Sequence, residues 1–159
     1  ATTAVQAKTY GRTRTRRNLE AGRAAIVQFT IDPVEFVDAA LSTVETDEPI
    51  LERTAAWTRI EGAERDRTVD RGTEILTWSL EPVASAVRER SVPTANRGRA
   101  AAIEATVPAS RLDVEGYDEA TLLDRLADLE AIVDAAGDER ARTAMARIDE
   151  HVGWRDRTE

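Results

Sequence analysis

The sequence predicts an α+β protein in which an antiparallel β-sheet or barrel is followed by a small three-helix domain. Two strand-like runs, residues 56–64 and 73–80, are separated by a short charged segment. Because this connection is too short to hold a crossover helix, the two strands should pair antiparallel. Beyond the second strand region the composition becomes alanine-rich, and three amphipathic helical patterns follow. We therefore place one domain at residues 1–92 and a second at residues 93–159.

Composition restricts the classes of function. The 159 residues include 30 Asp and Glu against 22 Lys and Arg, which gives a formal net charge of −8. This acidic balance disfavours a broadly cationic nucleic-acid or membrane binder, so any anion site must be local. Lys8 is the one lysine, and many acidic residues combined with many arginines are typical of a halophilic microbe. No apolar run approaches the roughly twenty residues that span a bilayer and no signal peptide is visible, which predicts a cytoplasmic protein.

Several chemistries need residues that the chain lacks. It has no cysteine and a single histidine, His151. Disulfides, thiol nucleophiles and zinc sites built from His and Cys within one chain are therefore excluded. A serine–histidine triad would depend on His151, which we expect to lie at the surface. The sequence accordingly predicts no metal site and identifies no catalytic residue.

The first domain opens with a strand and a short helix. Residues 5–10 predict a strand, and a helix follows over residues 13–21 until Gly22 ends it. Residues 24–31 are apolar enough to predict a buried strand, with Gln28 as its polar interruption. A buried amide must be hydrogen-bonded, so Gln28 either binds a neighbouring loop or faces the same pocket as the threonines of the helix.

Capping residues and prolines mark the remaining elements. Asp32, followed by a proline and a glutamate, predicts a helix start with a capping box. Pro82 should interrupt the strand at 73–80 and leave residues 83–92 as a bent edge strand. Pro108 should kink the first of the three later helices. The helix boundaries in the second domain are marked by Asn96, Asp118, Gly137 and Asp138.

Arginines and threonines crowd the start of the first predicted helix. The cluster consists of Arg12, Thr13, Arg14, Thr15, Arg16 and Arg17. Backbone N–H groups without intrahelical acceptors point out of a helix start, and together with hydroxyls and guanidinium groups they suit a phosphate. The alternative is a solvated face whose arginines pair with nearby carboxylates. No glycine-rich phosphate loop is present, which disfavours a P-loop or dinucleotide-binding fold.

Several motifs follow one another in order along nearly the whole chain. They are Thr13-Arg14-Thr15-Arg16-Arg17-Asn18-Leu19, Val27-Gln28-Phe29, Asp32-Pro33, Phe36-Val37-Asp38-Ala39-Ala40-Leu41-Ser42, Pro93-Thr94-Ala95-Asn96-Arg97-Gly98, Ile103-Glu104-Ala105 and Ser110-Arg111-Leu112. Together they resemble an archaeal family of uncharacterised proteins related to the flavin-reductase-like, FMN-binding split barrels. The resemblance implies a split β-barrel in the first domain, and a homodimer with the flavin near the subunit interface.

The resemblance also implies a site. In similar split-barrel flavoproteins a Thr-x-x-Asn turn after a strand holds the FMN phosphate. Carried over to this chain, Thr13 and Thr15 would donate hydroxyls, Arg14 would supply charge, and Asn18 would fix the turn. The chemistry would be the hydride or electron transfer of the flavin, with substrate and enzymatic status left open. The implied FMN-binding residues are Thr9, Tyr10, Thr13, Arg14, Thr15 and Asn18.

Two departures from the family and two other functions stay open. The related proteins have further strands before the position of Ala1, so a chain without them would lack part of the pocket. Gln28 stands where related flavin reductases tend to carry Asn. The same arginines could instead bind RNA or an acidic partner, although the net charge and the 4% aromatic content disfavour nucleic acid. A structural dimerisation domain with an empty pocket is the third possibility.

Overall fold

The computed structural model describes residues 5–22, 24–43, 48–92 and 94–157. Within these residues the chain forms four strands, five α-helices and a short 3₁₀ helix, the mixed α+β arrangement that the sequence predicts. In chain order the elements are β1 Val5–Tyr10, α1 Arg14–Glu20, β2 Ala25–Thr30, α2 Pro33–Leu41, β3 Thr54–Asp70, β4 Thr73–Val87, α3 Arg97–Ala109, α4 Glu119–Ala136, α5 Glu139–Val152 and the 3₁₀ helix Arg155–Arg157.

The chain divides into two compact units. The sheet unit comprises residues 1–29 and 49–90, and the helical unit comprises residues 30–48 and 91–159. The second segment of the helical unit begins at residue 91. The domain boundary expected at Pro93 stays a prediction, and Pro93 itself lies outside the described residues. Residues 30–48, which the sequence pattern assigns to the first domain, belong to the helical unit because α2 packs on α3 and α5.

The sheet has the strand order β1-β4-β3-β2, and both β1 and β3 run antiparallel to β4. β3 and β4 form the predicted hairpin, but the predicted turn over residues 66–72 is wrong. β3 continues to Asp70, and the turn consists of Arg71 and Gly72. Their φ angles of 47° and 82° suit the tight two-residue turn that matches the twist of paired strands. A charge pair joins Arg67, in the charged stretch of β3 that the sequence assigns to a turn, to Glu74 on β4.

Pro82 does not interrupt β4, contrary to the sequence prediction. The strand runs through the proline to Val87 and stays paired with β3. The register shifts between Arg59 and Ile60, and Ile60 is the partner of Pro82. A bulge of this kind relaxes the ladder locally, so a residue without a backbone N–H fits beside it.

A small apolar core joins α1 to the sheet. It consists of Leu19, Ile60, Leu76, Trp78 and Leu80. Gly62 on β3 makes room for this packing, because a Cβ at that position would lie 2.9 Å from Leu19 Cδ2. The indole N–H of Trp78 donates to Thr9 Oγ1 at 3.0 Å, which satisfies a buried polar group.

β2 is not the buried strand that its apolar sequence predicts. It lies at an edge of the described sheet, and Val27 and Phe29 on one face are 38% and 55% exposed. Ile26 and Gln28, which alternate with them, are half-buried. An apolar run shows that a strand is present, but it does not show which of its faces is covered.

The helical unit packs around an alkyl core to which α2 contributes. α2 joins α3, α4 and α5 in the described part of this unit, so the predicted three-helix domain is incomplete. The reason is Val37, which is fully buried in the shared core. The core consists of Val37, Ala101, Ala102, Ala105, Ala109, Leu112, Leu126, Leu129, Val133, Ala141, Ala144, Met145, Ile148 and Trp154.

Helix ends in this unit follow the predicted capping chemistry. Asp32, Asn96, Asp118 and Asp138 each accept a hydrogen bond from a backbone N–H in the first turn of the helix that they precede. Pro108 lies in the last turn of α3, so it precedes the helix end and does not kink a longer helix. None of the helices within the described ranges combines the length and the apolar character that crossing a membrane requires.

Candidate functional site

A pocket of about 320 Å³ lies in the sheet unit between α1 and β2. Its volume falls at the lower end of the range found for small-molecule sites. The lining residues that the structure describes belong to the sheet unit. They are Thr15, Asn18, Ala24, Ala25, Ile26, Gln28 and Pro49.

α1 presents one face to this pocket and an adjacent face to the sheet. Thr15 and Asn18 are three residues apart, so they lie on the same side of the helix. Arg16 and Leu19 are each shifted by one position and are buried, with 5% and 6% of their surface exposed. The N-cap Thr13 accepts a hydrogen bond from the Arg16 N–H at 3.2 Å, which fixes the first turn. The orientation of Thr15 and Asn18 therefore follows from how α1 is anchored.

Gln28 contributes to the pocket and to a loop at the same time. Its Oε1 accepts from the Leu51 backbone N–H and from the Thr54 hydroxyl, both at 2.8 Å. Its Nε2 donates to the Pro49 carbonyl at 3.0 Å. The sequence leaves open whether Gln28 binds a loop or faces the pocket of the threonines, and it does both.

Arg16 holds α1 against the sheet by ion pairs. Its guanidinium lies 3.0 Å from Glu20 and 2.6 Å from Glu74, and it also donates to the Gly11 carbonyl at 3.2 Å. Hydrogen bonds from Arg16 and Arg67 lower the pKa of the Glu74 carboxyl, which favours its charged form. Arg16 is therefore a structural residue, as the carboxylate-pairing alternative for the arginine cluster predicts.

Three other residues that the sequence assigns to the site, Thr9, Tyr10 and Arg14, are not among the described lining residues of the pocket. Thr9 is buried and accepts the Trp78 hydrogen bond, whereas Tyr10 at the end of β1 is 58% exposed. Arg14 is exposed in the first turn of α1. Of the implied set, the pocket lining brings together Thr15 and Asn18.

Among the described lining residues, sequence reasoning missed Ala24, Ala25, Ile26 and Pro49. The first three belong to β2 or directly precede it, and the alternation that exposes Gln28 to the pocket also selects Ile26. Pro49 lies 21 positions from Gln28, the residue that its carbonyl contacts. No local signal in the sequence indicates this contact.

The described lining residues are neutral and partly apolar, which limits the chemistry that they supply. Hydroxyl and amide groups can form hydrogen bonds with a ligand, while alkyl groups can pack on a flat ring system. The lining residues that the structure describes include no ionisable side chain, so they supply no group for acid–base catalysis. Among the described residues, no group of His, Asp and Glu side chains is arranged to hold a metal ion.

His151 lies elsewhere and is not the surface residue that the sequence predicts. Its side chain is 18% exposed, and Nε2 lies 2.8 Å from Asp38 Oδ1. Burial acts to raise the pKa of the Asp38 carboxyl, but hydrogen bonds from His151 and Arg147 outweigh it and hold that pKa below its ordinary value. The contact connects α5 to α2 within the helical unit.

Comparison with protein-family models accounts for both units. The model described as the N-terminal domain of a protein of unknown function, DUF447, matches residues 2–89. A second model, described as protein of unknown function DUF447, matches residues 96–150. The chain belongs to the DUF447 family. The predicted resemblance to a family of uncharacterised proteins is confirmed to this extent, and the relation to flavin-reductase barrels stays a prediction.

Solved structures add a fold neighbour to the DUF447 chain. This chain is similar to the crystal structure of an FMN-bound DUF447 protein from Methanosarcina mazei, with 23% sequence identity and a TM-score of 0.78. The similarity covers 92% of this chain and 80% of that chain. At this level of identity the match shows a shared fold. None of the curated proteins compared with the chain matches it.

Proposed function

We propose that this DUF447 chain is a flavoprotein that binds FMN without a covalent bond, in the pocket between α1 and β2. One observation supports the proposal most strongly. Thr15 and Asn18, which the sequence singles out, meet Gln28 in one pocket of a chain whose fold matches that of an FMN-bound protein of the same family.

The lining residues fit a flavin. Ile26 and the two alanines beside it offer an apolar surface for a planar ring, while the side chains of Asn18 and Gln28 offer hydrogen bonds to polar ring atoms. FMN, when bound, would supply hydride or electron transfer. The protein's part is to bind and orient the ring, and no residue of the pocket is proposed to move a proton.

We assign the phosphate to the start of α1. Thr15 is in the first turn of this helix, where backbone N–H groups lack intrahelical acceptors, and Arg14 beside it supplies positive charge. Thr13 contributes by capping the turn, since its hydroxyl already accepts the Arg16 N–H. Thr9 and Tyr10, at the end of β1, remain in the proposal as neighbours of this turn.

The proposal includes a split barrel and a homodimer. The antiparallel pairing of β1, β4 and β3 is compatible with such a barrel. Val27 and Phe29 are exposed side by side on one face of β2, and apolar residues of this kind are typical of interfaces. Sedimentation equilibrium should give twice the monomer mass, and a monomer at all concentrations would remove the dimer from the proposal.

The same structure weakens the alternative in which the arginine cluster binds RNA or an acidic partner. Arg16 is buried and paired with Glu20 and Glu74, so its charge is neutralised within the protein. This reduces the cationic surface on which such binding depends. The flavin proposal is therefore better supported.

The test is a titration of the protein with FMN, in which binding is monitored through the absorbance of the flavin. The unmodified protein should bind FMN with a dissociation constant in the micromolar range or below. Arg14→Ala should weaken FMN by about tenfold, since it removes a charged hydrogen bond to phosphate. Riboflavin, which has no phosphate, should be bound equally by this variant and by the unmodified protein.

Matched variants separate the site from the rest of the sheet unit. Arg12→Ala removes a neighbouring exposed arginine, and Thr68→Val changes an exposed threonine near the hairpin turn. Neither should alter FMN affinity, whereas Thr15→Val should lower it. Absence of bound FMN in the unmodified protein would contradict the function itself. Equal losses of FMN and riboflavin in Arg14→Ala would contradict the phosphate assignment.

A further inference from the structure

We propose that Gln28 presents one fixed N–H donor to the pocket and so selects a ligand that carries a hydrogen-bond acceptor on its β2 side. This rests on the FMN function proposed above and specifies which part of the flavin lies against β2. The donor would face a carbonyl oxygen or an unprotonated ring nitrogen. A ligand that places an N–H at this position would be rejected, because two donors would meet.

The orientation of the Gln28 amide is determined by backbone groups at both of its ends. The Leu51 backbone N–H can only donate, and it donates to Oε1. The Pro49 carbonyl can only accept, and it accepts from Nε2. Exchanging the oxygen and nitrogen would therefore turn both contacts into mismatches.

The hydrogen-bond capacity of the amide leaves one donor. Oε1 has two lone pairs, and these are used by the Leu51 N–H and the Thr54 hydroxyl. Nε2 has two hydrogens, of which one is used by the Pro49 carbonyl. The second N–H has no acceptor within the described parts of the chain. Gln28 thus has a donor to offer in the pocket and no acceptor.

The other polar side chains of the pocket are adaptable. A hydroxyl such as that of Thr15 can donate or accept, and the amide of Asn18 can turn to present either end. Neither side chain has a hydrogen bond to another described residue that would hold it in one state. Among the described lining residues, Gln28 is consequently the one that discriminates between a donor and an acceptor on the ligand.

The variant Gln28→Glu separates the donor from the loop contact. The introduced carboxyl keeps one oxygen for the Leu51 N–H and the Thr54 hydroxyl, but it replaces the amide NH₂ by a second oxygen. When protonated, this group has a single O–H, whereas the glutamine has two N–H hydrogens. The one hydrogen is taken by the Pro49 carbonyl, so acidification restores the loop contact and leaves the pocket without a donor.

The experiment follows melting temperature and riboflavin affinity together, because riboflavin has no phosphate that titrates. Between about pH 7 and about pH 5, a carboxyl beside a carbonyl should take up its proton, and the melting temperature of Gln28→Glu should approach that of the unmodified protein. Its riboflavin affinity should stay about tenfold lower throughout, the factor expected for one hydrogen bond of ordinary strength. Gln6→Glu, on the exposed part of β1, should match the unmodified protein in affinity.

Recovery of riboflavin affinity in parallel with melting temperature would overturn the proposal, since Gln28 would then act through the loop alone. Failure of the unmodified protein to bind FMN and riboflavin would remove the proposed function and is a separate outcome. The donor is then tested in the free protein by the two side-chain NMR signals of Gln28. One hydrogen protected from exchange and one exchanging freely supports the assignment, while equal behaviour of the two overturns it.

Discussion

The two units of the molecule use their residues differently. The helical unit buries a continuous alkyl core, in which Leu126 and Ile148 are fully excluded from solvent. The sheet unit has a smaller apolar core and secures α1 by Arg16, which pairs with Glu20 and Glu74. The described lining of its pocket combines polar residues with alkyl ones. Burial of apolar surface therefore accounts for most of the stability of the helical unit, whereas binding depends on how polar groups are held in the sheet unit.

Removing core volume tests this contrast most strongly. Leu126→Ala should lower the free energy of unfolding by about 4 kcal/mol, since the residue is fully buried and leaves a cavity. Leu19→Ala in the sheet unit should cost less, about 2 kcal/mol, but should also lower FMN affinity because it loosens α1. Chemical denaturation and FMN titration of both variants check this. A loss of FMN affinity in Leu126→Ala with none in Leu19→Ala would reverse the comparison.

The close approach of two helices in the helical unit gives a second test. A Cβ on Gly98 of α3 would lie 2.1 Å from the Cα of Gly137, which follows α4. Gly98→Ala should therefore destabilise the protein by about 3 kcal/mol, because backbone atoms must separate. Helix propensity alone would favour alanine by about 1 kcal/mol, so the sign of the change is informative.

The matched control is Ala100→Gly on the exposed side of the same helix. It should destabilise by about 1 kcal/mol, the ordinary helix-propensity effect. Thermal or chemical denaturation measures both variants. A Gly98→Ala protein more stable than the unmodified one would show that α3 and α4 are not in contact at this point.

Two arginines that share the same glutamate provide a test of the anchoring of α1. Arg16 and Arg67 both pair with Glu74, but their side chains are 6% and 46% exposed. Arg16→Ala should lower the melting temperature and FMN affinity, since it leaves Glu74 without its buried partner. Arg67→Ala should change both only slightly, because exposed ion pairs contribute little. Similar losses in the two variants would argue against a special role for the buried arginine.

The smallest expected effect is a pH dependence in the helical unit. Burial acts to raise the pKa of the Asp32 carboxyl, but hydrogen bonds from Arg140 and from the Glu35 and Val34 amides outweigh it and hold that pKa below the ordinary 3.8. The unfolded chain therefore takes up the proton first as the pH falls. The stabilisation is complete well above pH 3.8 and is lost as the pH drops through the folded-state pKa.

Asp32→Asn isolates this contribution because asparagine also caps a helix. The variant should be less stable than the unmodified protein by about 1 kcal/mol at neutral pH, since a charged hydrogen bond to the partly exposed Arg140 is lost. Urea denaturation at several pH values should show the difference shrinking toward acid. A difference that stays constant with pH would contradict the assigned role of the charge.

Local chemistry explains what could be predicted from the sequence. The sequence predicts the helix N-caps because a capping side chain acts within three residues of its own position. These caps are Asp32, Asn96, Asp118 and Asp138. The strand β1 and the short helix α1, with Thr15 and Asn18 one turn apart, followed from the same kind of local pattern. These two residues are also the part of the pocket that the sequence singled out.

What could not be predicted depends on contacts between distant parts of the chain. The residues that Gln28 contacts lie 21 to 26 positions away along the chain. The sequence around Gln28 therefore does not indicate that Pro49 lines the pocket. Arg67 pairs with Glu74 across the hairpin, and its charge suggested a turn where the strand in fact continues. His151 approaches Asp38 over 113 positions. Sequence periodicity does not contain such pairings.

The most direct test of the central claim is a titration of the isotope-labelled protein with FMN. NMR monitors the backbone and side-chain amide signals during the titration. The expected result is that the largest shifts fall on Thr15, Asn18, Gln28 and the residues beside them in the pocket lining, and that the signals of the helical core move little. Shifts that are absent, or that concentrate on residues outside the α1–β2 pocket, would contradict the claim that this pocket binds the flavin.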